Sequence, residues 1–264
     1  MKTDIAIQIS NVSKVYPLRH PQMDEDGNLV HEHWALKDVS LAIKKGESVG
    51  IIGPNGSGKS TLLKILAGVT KPTHGEVKIR GKVASILDIG AGFHPELSGR
   101  ENVYLNGQIH GFSKKEIASK FDEIVAFSGI EKFIDEPVKN YSNGMYLRLA
   151  FSIMAHLDFD VYLLDEVLSV GDAEFREKIL ELINTWNNKK TLVVVTHDFF
   201  QIHSIIDRVV AFNSTTYQEV EHQPQPFELL IANYMKEHAI TASEFDFKLE
   251  APDFELDIQY KKKY

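Results

Sequence analysis

The chain has 264 residues, of which 43% are hydrophobic and 25% are charged, so it can bury a large core. Its net charge of −8 disfavours a nucleic-acid partner or a general anionic-lipid surface, and the absence of cysteine excludes disulfides and thiolate metal sites. The first residues do not have the pattern of a signal peptide, and no stretch approaches the ~18 apolar residues of a spanning helix. If the protein works at a membrane, we expect another chain to supply the span.

The N-terminal region predicts strands that are separated by a polar insertion. Residues 5–12 and 34–43 have strand character, and residues 47–52 form a short apolar run. Between the first two strands, residues 19–33 are polar and predict an exposed loop or a hairpin insertion. Tyr16 can pack an adenine ring against its face, or it can be an ordinary core or edge tyrosine.

Residues 53–61, GPNGSGKST, fit the pattern G-x-x-x-x-G-K-[ST] at every fixed position, between a strand and a helical pattern. The glycines let the backbone close around phosphate, and the helix N-terminus adds free N–H donors and the positive end of its dipole. Lys59 can reach the β- and γ-phosphates, and Ser60 can offer its hydroxyl to Mg²⁺. The stretch predicts a nucleoside triphosphate site made by Gly53, Pro54, Asn55, Gly56, Ser57, Gly58, Lys59, Ser60 and Thr61.

Residues 90–155 predict an α-helical insert in the nucleotide-binding core. Two short strands broken at Gly81 precede it, over residues 76–87, and residues 89–102 predict a loop that leads into helix. Residues 114–128 carry apolar side chains at helical spacing.

A second helix start lies near the end of this insert. Residues 146–154 predict a helix, for which Ser142 is a plausible N-cap with Gly144 beside it. A helix start with serine and glycine at its mouth is a potential phosphate site. A capped helix without a ligand is the alternative.

Residues 161–164 predict a buried strand that ends in Asp165 and Glu166. Carboxylates at the C-terminal end of a parallel strand lie where α/β folds bind ligands. Asp165 is placed to hold Mg²⁺ through water, and Glu166 is placed to orient or deprotonate an attacking water. A solvated acidic pair is the alternative interpretation.

The remaining pattern alternates helix and strand. Residues 169–172 predict a turn, residues 174–186 an amphipathic helix, and residues 191–196 an apolar strand. His197 follows this strand in line with the γ-phosphate site, although an isolated histidine is usually structural. We expect a further strand over 207–212, a helix over 227–236, and a short, acidic, flexible tail over 241–264.

These motifs, in this order, resemble an ATP-binding cassette of the ABC transporter superfamily over roughly residues 5 to 236. The resemblance matches residues 53–61 to Walker A, residues 161–166 to Walker B with its catalytic glutamate, and residues 141–145 to the signature. It also matches residues 169–172 to the D-loop, His197 to the switch histidine and Tyr16 to the aromatic residue that stacks on adenine. It implies an α/β, ABC-type P-loop NTPase with a mixed sheet core, an antiparallel β subdomain and an α-helical subdomain. The ATP-binding domain is then expected over residues 1–240.

Within the superfamily, the chain is most similar to the ATPase subunits of polysaccharide exporters, which move lipid-linked O-antigen, capsule or teichoic acid. Three stretches carry this similarity: GAGFHPELSGREN, YSNGMYLRLAFSIMAH and LLDEVLSVGDAEF. It implies an ATPase that uses ATP and Mg²⁺ and lies peripherally on the cytoplasmic face of the cell membrane. The implied partners are a second copy of the chain, a separate transmembrane permease and a lipid-linked polysaccharide cargo, without nucleic acid.

The resemblance also implies a head-to-tail homodimer with ATP between the subunits. Each ATP then meets Lys59, Ser60, Asp165, Glu166 and His197 of one chain, and Ser142 and Gly144 of the other.

Three features depart from the superfamily pattern. The signature YSNGM has Asn143 in place of glycine, which we expect to be tolerated because asparagine accepts positive φ. The glutamine expected before the helical insert falls on Ile89 or Gly90, with Asp88 as the nearest polar residue. The insertion over residues 19–33 is longer than usual.

Other functions in the superfamily fit less well. An importer subunit is the closest competitor. A DNA-repair type of ATPase would need a coiled-coil insertion before Ser142, and no heptads occur there. A translation-type protein needs two cassettes, and a regulator that never hydrolyses ATP would not need Glu166 and His197.

Overall fold

The structure is a computed structural model, and it describes residues 4–23, 29–88, 90, 92–165, 172–186, 189–195, 205–213 and 216–220. The strands are β1 (Ile5–Met23), β2 (Leu29–Lys44), β3 (Ser48–Ile52), β4 (His74–Ile79), β5 (Val83–Ser85), β6 (Val161–Asp165), β7 (Thr191–Val195), β8 (Arg208–Asn213) and β9 (Thr216–Val220). The helices are α1 (Lys59–Leu66), α2 (Gly99–Ile109), α3 (Lys114–Ser128), α4 (Asn143–His156) and α5 (Ala173–Asn184). In the described part of the chain, no helix is long and apolar enough to cross a membrane.

In the part of the chain that the structure describes, the strands form two sheets. An antiparallel sheet has the order β2-β1-β4, and a six-stranded sheet has the order β5-β6-β7-β3-β8-β9. In the larger sheet β5, β6, β7, β3 and β8 run parallel, and β9 pairs antiparallel with β8 at the edge. The predicted α/β fold with a mixed sheet and an antiparallel sheet is therefore confirmed.

The larger sheet is covered on both faces, which explains its apolar strands. Every residue of β3 and β7 is buried. In β6, Val161 and Leu163 join a cluster with α1 and the antiparallel sheet, whereas Tyr162 and Leu164 join a cluster with α2, α3, α4 and α5. This alternation is the period of two that separates the faces of a strand.

The described residues of the insertion over 19–33 pair as the two strands of a hairpin, which is one of the two predicted alternatives. The first strand continues to Met23, the second begins at Leu29 rather than Trp34, and Met23 pairs with Leu29. Polar residues are compatible with these paired strands because both faces of the paired segment are exposed to solvent.

The helical region follows the predicted pattern, with shifted helix starts. The helix over residues 114–128 is confirmed, and the helix capped by Ser142 begins at Asn143, before the predicted start at Tyr146. Asn143 therefore needs no positive φ, which corrects the reason given for its tolerance. Gly99 to Asn102, predicted as loop, form the first turn of α2. The predicted boundaries of the helical insert remain predictions.

Two further differences concern the C-terminal part. The strand β9 was not predicted, because an edge strand pairs on one side only and carries a weak apolar pattern. Three predicted segments lie outside the described residues: the turn over 169–172, of which only Asp172 is described, the helix over 227–236 and the tail over 241–264.

A partly buried ion pair ties the antiparallel sheet to the large sheet. Glu47 Oε1 accepts a bond from Arg208 Nε at 2.7 Å, and Arg208 Nη2 donates to the Ala42 carbonyl at 2.7 Å. Both side chains are less than a fifth exposed, at 14% for Glu47 and 18% for Arg208. Replacing Glu47 by Ala should lower the free energy of unfolding by about 2 kcal/mol, because the partly buried guanidinium then loses its carboxylate and keeps the Ala42 carbonyl.

Chemical denaturation measures this loss, and Glu76→Ala is the matched control. Glu76 pairs with Lys78 at the surface, so its removal should cost about 0.5 kcal/mol or less. Equal losses in the two variants would show that burial does not govern the Glu47 pair.

Candidate nucleotide-binding site

The candidate site lies at the C-terminal edge of the parallel strands. Ile51 of β3 and Asp165 of β6 are both in register with Val195 of β7. The glycine-rich loop therefore begins beside the end of β7, at the same sheet edge as Asp165, which lies on the other side of β7. Glu166 and His197 lie outside the described residues, one and two positions after these strand ends in the sequence.

Two glycines let the glycine-rich loop, residues 53–61, pack closely against the neighbouring strands. Gly58 has φ +98°, and a Cβ there would lie 2.3 Å from the Ala35 carbonyl oxygen. Gly53 has φ +146°, and a Cβ there would lie 2.4 Å from the Phe212 carbonyl oxygen. Only glycine fits these positions without displacing the loop.

Lys59 is held inside the curve of the loop. Its side chain is buried, and Nζ donates to the carbonyl oxygens of Gly53 at 2.6 Å and Pro54 at 2.7 Å. A buried ammonium at this point provides a positive charge where phosphate would enter. Its position agrees with the predicted contact to the β- and γ-phosphates, which remains a prediction.

The start of α1 is open to an anion. Gly58 is the N-cap residue and supplies no side-chain cap, and the first turn contains no acidic residue. Ser57 Oγ is buried in the same loop without a hydrogen-bond partner, whereas Asn55, Gly56 and Ser60 are exposed. Free N–H groups and the positive end of the dipole therefore remain for a phosphate.

The candidate Mg²⁺ residues fit the ion without forming a complete cage. Ser60 is exposed in the first turn of α1, and Asp165 is half-buried at the end of β6. Within the described ranges, no cluster of three His, Cys, Asp or Glu side chains has the geometry to hold a metal. One hydroxyl and one carboxylate suit Mg²⁺, which usually keeps waters and phosphate oxygens as its other ligands.

The start of α4 is exposed, but unlike the start of α1 it has a side-chain cap. Ser142 Oγ accepts a bond from the Met145 N–H at 3.2 Å, and no acidic residue lies in the first turn. A Cβ at Gly144 would meet no atom closer than Ser142 Oγ, at 3.9 Å. Packing within this chain therefore does not require glycine at position 144.

Tyr16 presents an accessible ring on β1. It is 38% exposed, it lies opposite His33 of β2, and Lys14 Nζ lies 5.0 Å from the ring centroid. Exposure rules out the core alternative and leaves an edge tyrosine or an adenine platform.

The sequence reasoning missed an ion pair between α4 and the start of α5. Asp172 Oδ1 accepts a bond from the Phe175 N–H at 3.0 Å and caps α5, while Arg148 pairs with its other oxygen. The Phe175 N–H first, and Arg148 after it, hold the pKa of Asp172 below its ordinary value. The ion pair therefore attaches Asp172 to α4. In the sequence, Asp172 directly follows residues 166–171, which include Glu166.

The chain resembles known proteins over most of its length. The ABC transporter family matches residues 36–169. The O-antigen export system ATP-binding protein RfbB of Klebsiella pneumoniae is 40% identical over 236 residues, which cover 84% of this chain and 96% of that protein. The Myxococcus xanthus RfbB is 48% identical over 182 residues, which cover 69% of this chain but only 41% of that protein.

A third relative is named for the export of a different polymer. The teichoic acids export ATP-binding protein TagH of Enterococcus faecalis is 42% identical over 217 residues, which cover 79% of this chain and 48% of that protein. The chain thus spans less than half the length of the Myxococcus and Enterococcus relatives.

Solved structures agree with the fold. The ATP-binding cassette MJ0796, in a dimeric post-hydrolysis state with ADP and Pi, superposes with a TM-score of 0.64 at 28% identity, over 82% of this chain and all of that chain. An ATP-binding subunit of an ABC transporter reaches a TM-score of 0.68 at 19% identity, over 89% of this chain and 94% of that one, and supports the fold alone. The predicted family is confirmed: the chain belongs to the ABC transporter family, whose ATP-binding cassettes hydrolyse ATP.

Proposed function

We propose that the protein is the ATP-hydrolysing subunit that powers export of a lipid-linked polysaccharide through a separate membrane subunit. The observation that carries this proposal is the similarity to the Klebsiella RfbB, which extends over 96% of that export protein. The glycine-rich loop at the sheet edge holds the Lys59 ammonium beside the uncapped start of α1, which supports ATP as the energy source. The protein then acts peripherally at the cytoplasmic face of the membrane.

Each residue of the site has a role in the proposed hydrolysis. Lys59 and the N-terminus of α1 bind the phosphates, and Tyr16 stacks on the adenine. Ser60 and Asp165 would hold Mg²⁺, which would supply positive charge at the phosphates. Glu166 accepts a proton from the attacking water, and His197 donates a hydrogen bond to the γ-phosphate.

We further propose a head-to-tail dimer that completes each site. The phosphate-binding loop exposes Asn55, Gly56 and Ser60 on one side, so a second helix N-terminus can approach there. The start of α4, with Ser142 and Gly144, offers such an N-terminus without an acidic residue in its first turn. Similarity to the dimeric MJ0796 cassette supports this arrangement.

Mixing two inactive variants tests the shared site. Lys59→Ala and Ser142→Arg should each abolish hydrolysis in the homodimer, because each homodimer has two damaged sites. The mixed dimer combines both defects in one site and leaves the other site intact. ATPase activity of the mixture, measured against each variant alone, should therefore be restored.

The control is a mixture of Lys59→Ala with Asp165→Ala, which damages the same half of each site. That mixed dimer has one defect in each site, so it should stay inactive. Equal activity in the two mixtures, or no activity in either, would contradict the shared-site arrangement.

Purification with bound partners tests the export function. Tagged Glu166→Gln protein, isolated from membranes with ATP and Mg²⁺, should copurify with an integral membrane protein and a lipid-linked glycan. Recovery of a solute-capturing protein instead would indicate the importer alternative. Recovery without any membrane protein would favour a non-transport ATPase.

A further inference from the structure

A tyrosine on α4 contacts the connection that leads from the large sheet to α2. The hydroxyl of Tyr146 donates to the carbonyl oxygen of Gly90 at 2.7 Å. The ring of Tyr146 packs on Phe93, with the centroids 5.0 Å apart and the planes tilted by 59°. Burial raises the pKa of the Tyr146 hydroxyl, which therefore stays protonated and can donate.

The absence of a side chain at Gly90 leaves room for the Tyr146 ring. It is buried and has φ +74°, and a Cβ there would lie 2.3 Å from Cε1 of Tyr146 and 2.5 Å from its hydroxyl oxygen. The ring thus occupies the space that any other side chain at position 90 would need. The contact depends on a glycine and a tyrosine together.

The same contact joins the first turn of α4, which carries Ser142, to the segment that follows β5. On α4, the N–H of Tyr146 donates to the carbonyl oxygen of Ser142 at 3.0 Å, so both residues belong to one helical turn. On the sheet, β5 immediately precedes the connection, and its Ser85 is in register with Leu163, two residues before Asp165. The connection and the first turn of α4 are thereby held against each other.

We propose that Tyr146 is a positioning residue for ATP hydrolysis, because its bond to Gly90 fixes the turn that presents Ser142 to the nucleotide of the opposing copy. The proposal rests on the proposed shared site. Tyr146 itself touches no nucleotide; it acts through Ser142. Loss of the hydroxyl lets the turn shift against the connection, which misplaces a charge-stabilising donor during turnover.

Tyr146→Phe removes only the hydroxyl and keeps the ring in contact with Phe93 and Gly90. In the homodimer, kcat should fall about 5- to 10-fold, the effect of one lost hydrogen bond. The KM for ATP should stay within about twofold, because Lys59 and Tyr16 are untouched. Tyr104→Phe is the control: it also removes one tyrosine hydroxyl, from a ring that stacks on Phe121 of α3, and both constants should be unchanged.

The mixed dimer of Lys59→Ala and Ser142→Arg separates positioning from general damage. Its one intact site uses Ser142 of the Lys59→Ala chain and Lys59 of the Ser142→Arg chain. Tyr146→Phe added to the Lys59→Ala chain should reduce kcat about 5- to 10-fold, because that chain presents the working Ser142. The same change in the Ser142→Arg chain should leave kcat unchanged.

These two dimers carry identical sets of substitutions and differ only in which chain bears Tyr146→Phe. Equal losses in both, or no loss in either, would overturn the positioning role while leaving the shared site intact. An inactive mixed dimer before Tyr146 is changed would overturn the shared site itself, and this inference with it.

Discussion

Replacing Glu166 by Gln should remove most ATP turnover and leave ATP binding intact. The amide has the shape of the carboxylate but cannot accept a proton from the attacking water, and Asp165 is assigned to the metal. A lost general base lowers the rate by on the order of 10²-fold or more. Single-turnover hydrolysis, measured beside equilibrium nucleotide binding, gives both quantities.

Glu174→Gln provides the control for this substitution. Glu174 lies in the first turn of α5, where it is exposed and pairs with Lys178. Its amide variant should hydrolyse ATP at the wild-type rate. Near-normal turnover in Glu166→Gln would refute the assignment of the general base.

Replacing Gly58 by Ala should reduce ATP affinity at least about 10-fold. The added Cβ would lie 2.3 Å from the Ala35 carbonyl oxygen, and alanine at φ +98° is strained by roughly 1–2 kcal/mol. The loop must then move away from β2, and the N–H groups that face phosphate move with it. Calorimetric titration with ATP measures the change.

Gly68→Ala separates backbone strain from displacement of the loop. Gly68 lies just beyond the C-terminal end of α1, at φ +76°, and a Cβ there would meet no atom within 4 Å. This variant should be slightly less stable, by about 1 kcal/mol, but should bind ATP normally. Equal losses of affinity in the two variants would show that the clash with Ala35 is not responsible.

Much of the candidate site was predictable because its residues fall in short local motifs, several of them at the ends of apolar strands. The run at Val161 to Leu164 is apolar throughout because both faces of β6 are buried, so the carboxylate that follows it marks the sheet edge. The loop at residues 53–61 needs glycine at two positions, because the backbones of β2 and β8 come too close there to leave room for a Cβ atom. Local pattern and tertiary packing agree at these points.

Other contacts were not predictable because they join distant residues. Arg148 and Asp172 are 24 positions apart, and Tyr146 and Gly90 are 56 apart. Nothing in the local pattern around Tyr146 or Gly90 indicates that the two meet, since each also suits a helix surface or a turn. The start of α4 was placed late because apolar spacing becomes clear only after Tyr146, whereas the cap at Ser142 already begins the helix.

ATP-driven movement of polymer in inverted membrane vesicles tests the central claim most directly. Vesicles that contain the protein and its copurified membrane subunit receive lipid-linked polysaccharide on their outer, originally cytoplasmic, face. With ATP and Mg²⁺, the polymer should become protected from an added glycosidase, and Glu166→Gln or removal of Mg²⁺ should prevent this. Protection that is independent of ATP, or equal in Glu166→Gln, would contradict the proposal that hydrolysis by this chain drives polysaccharide export.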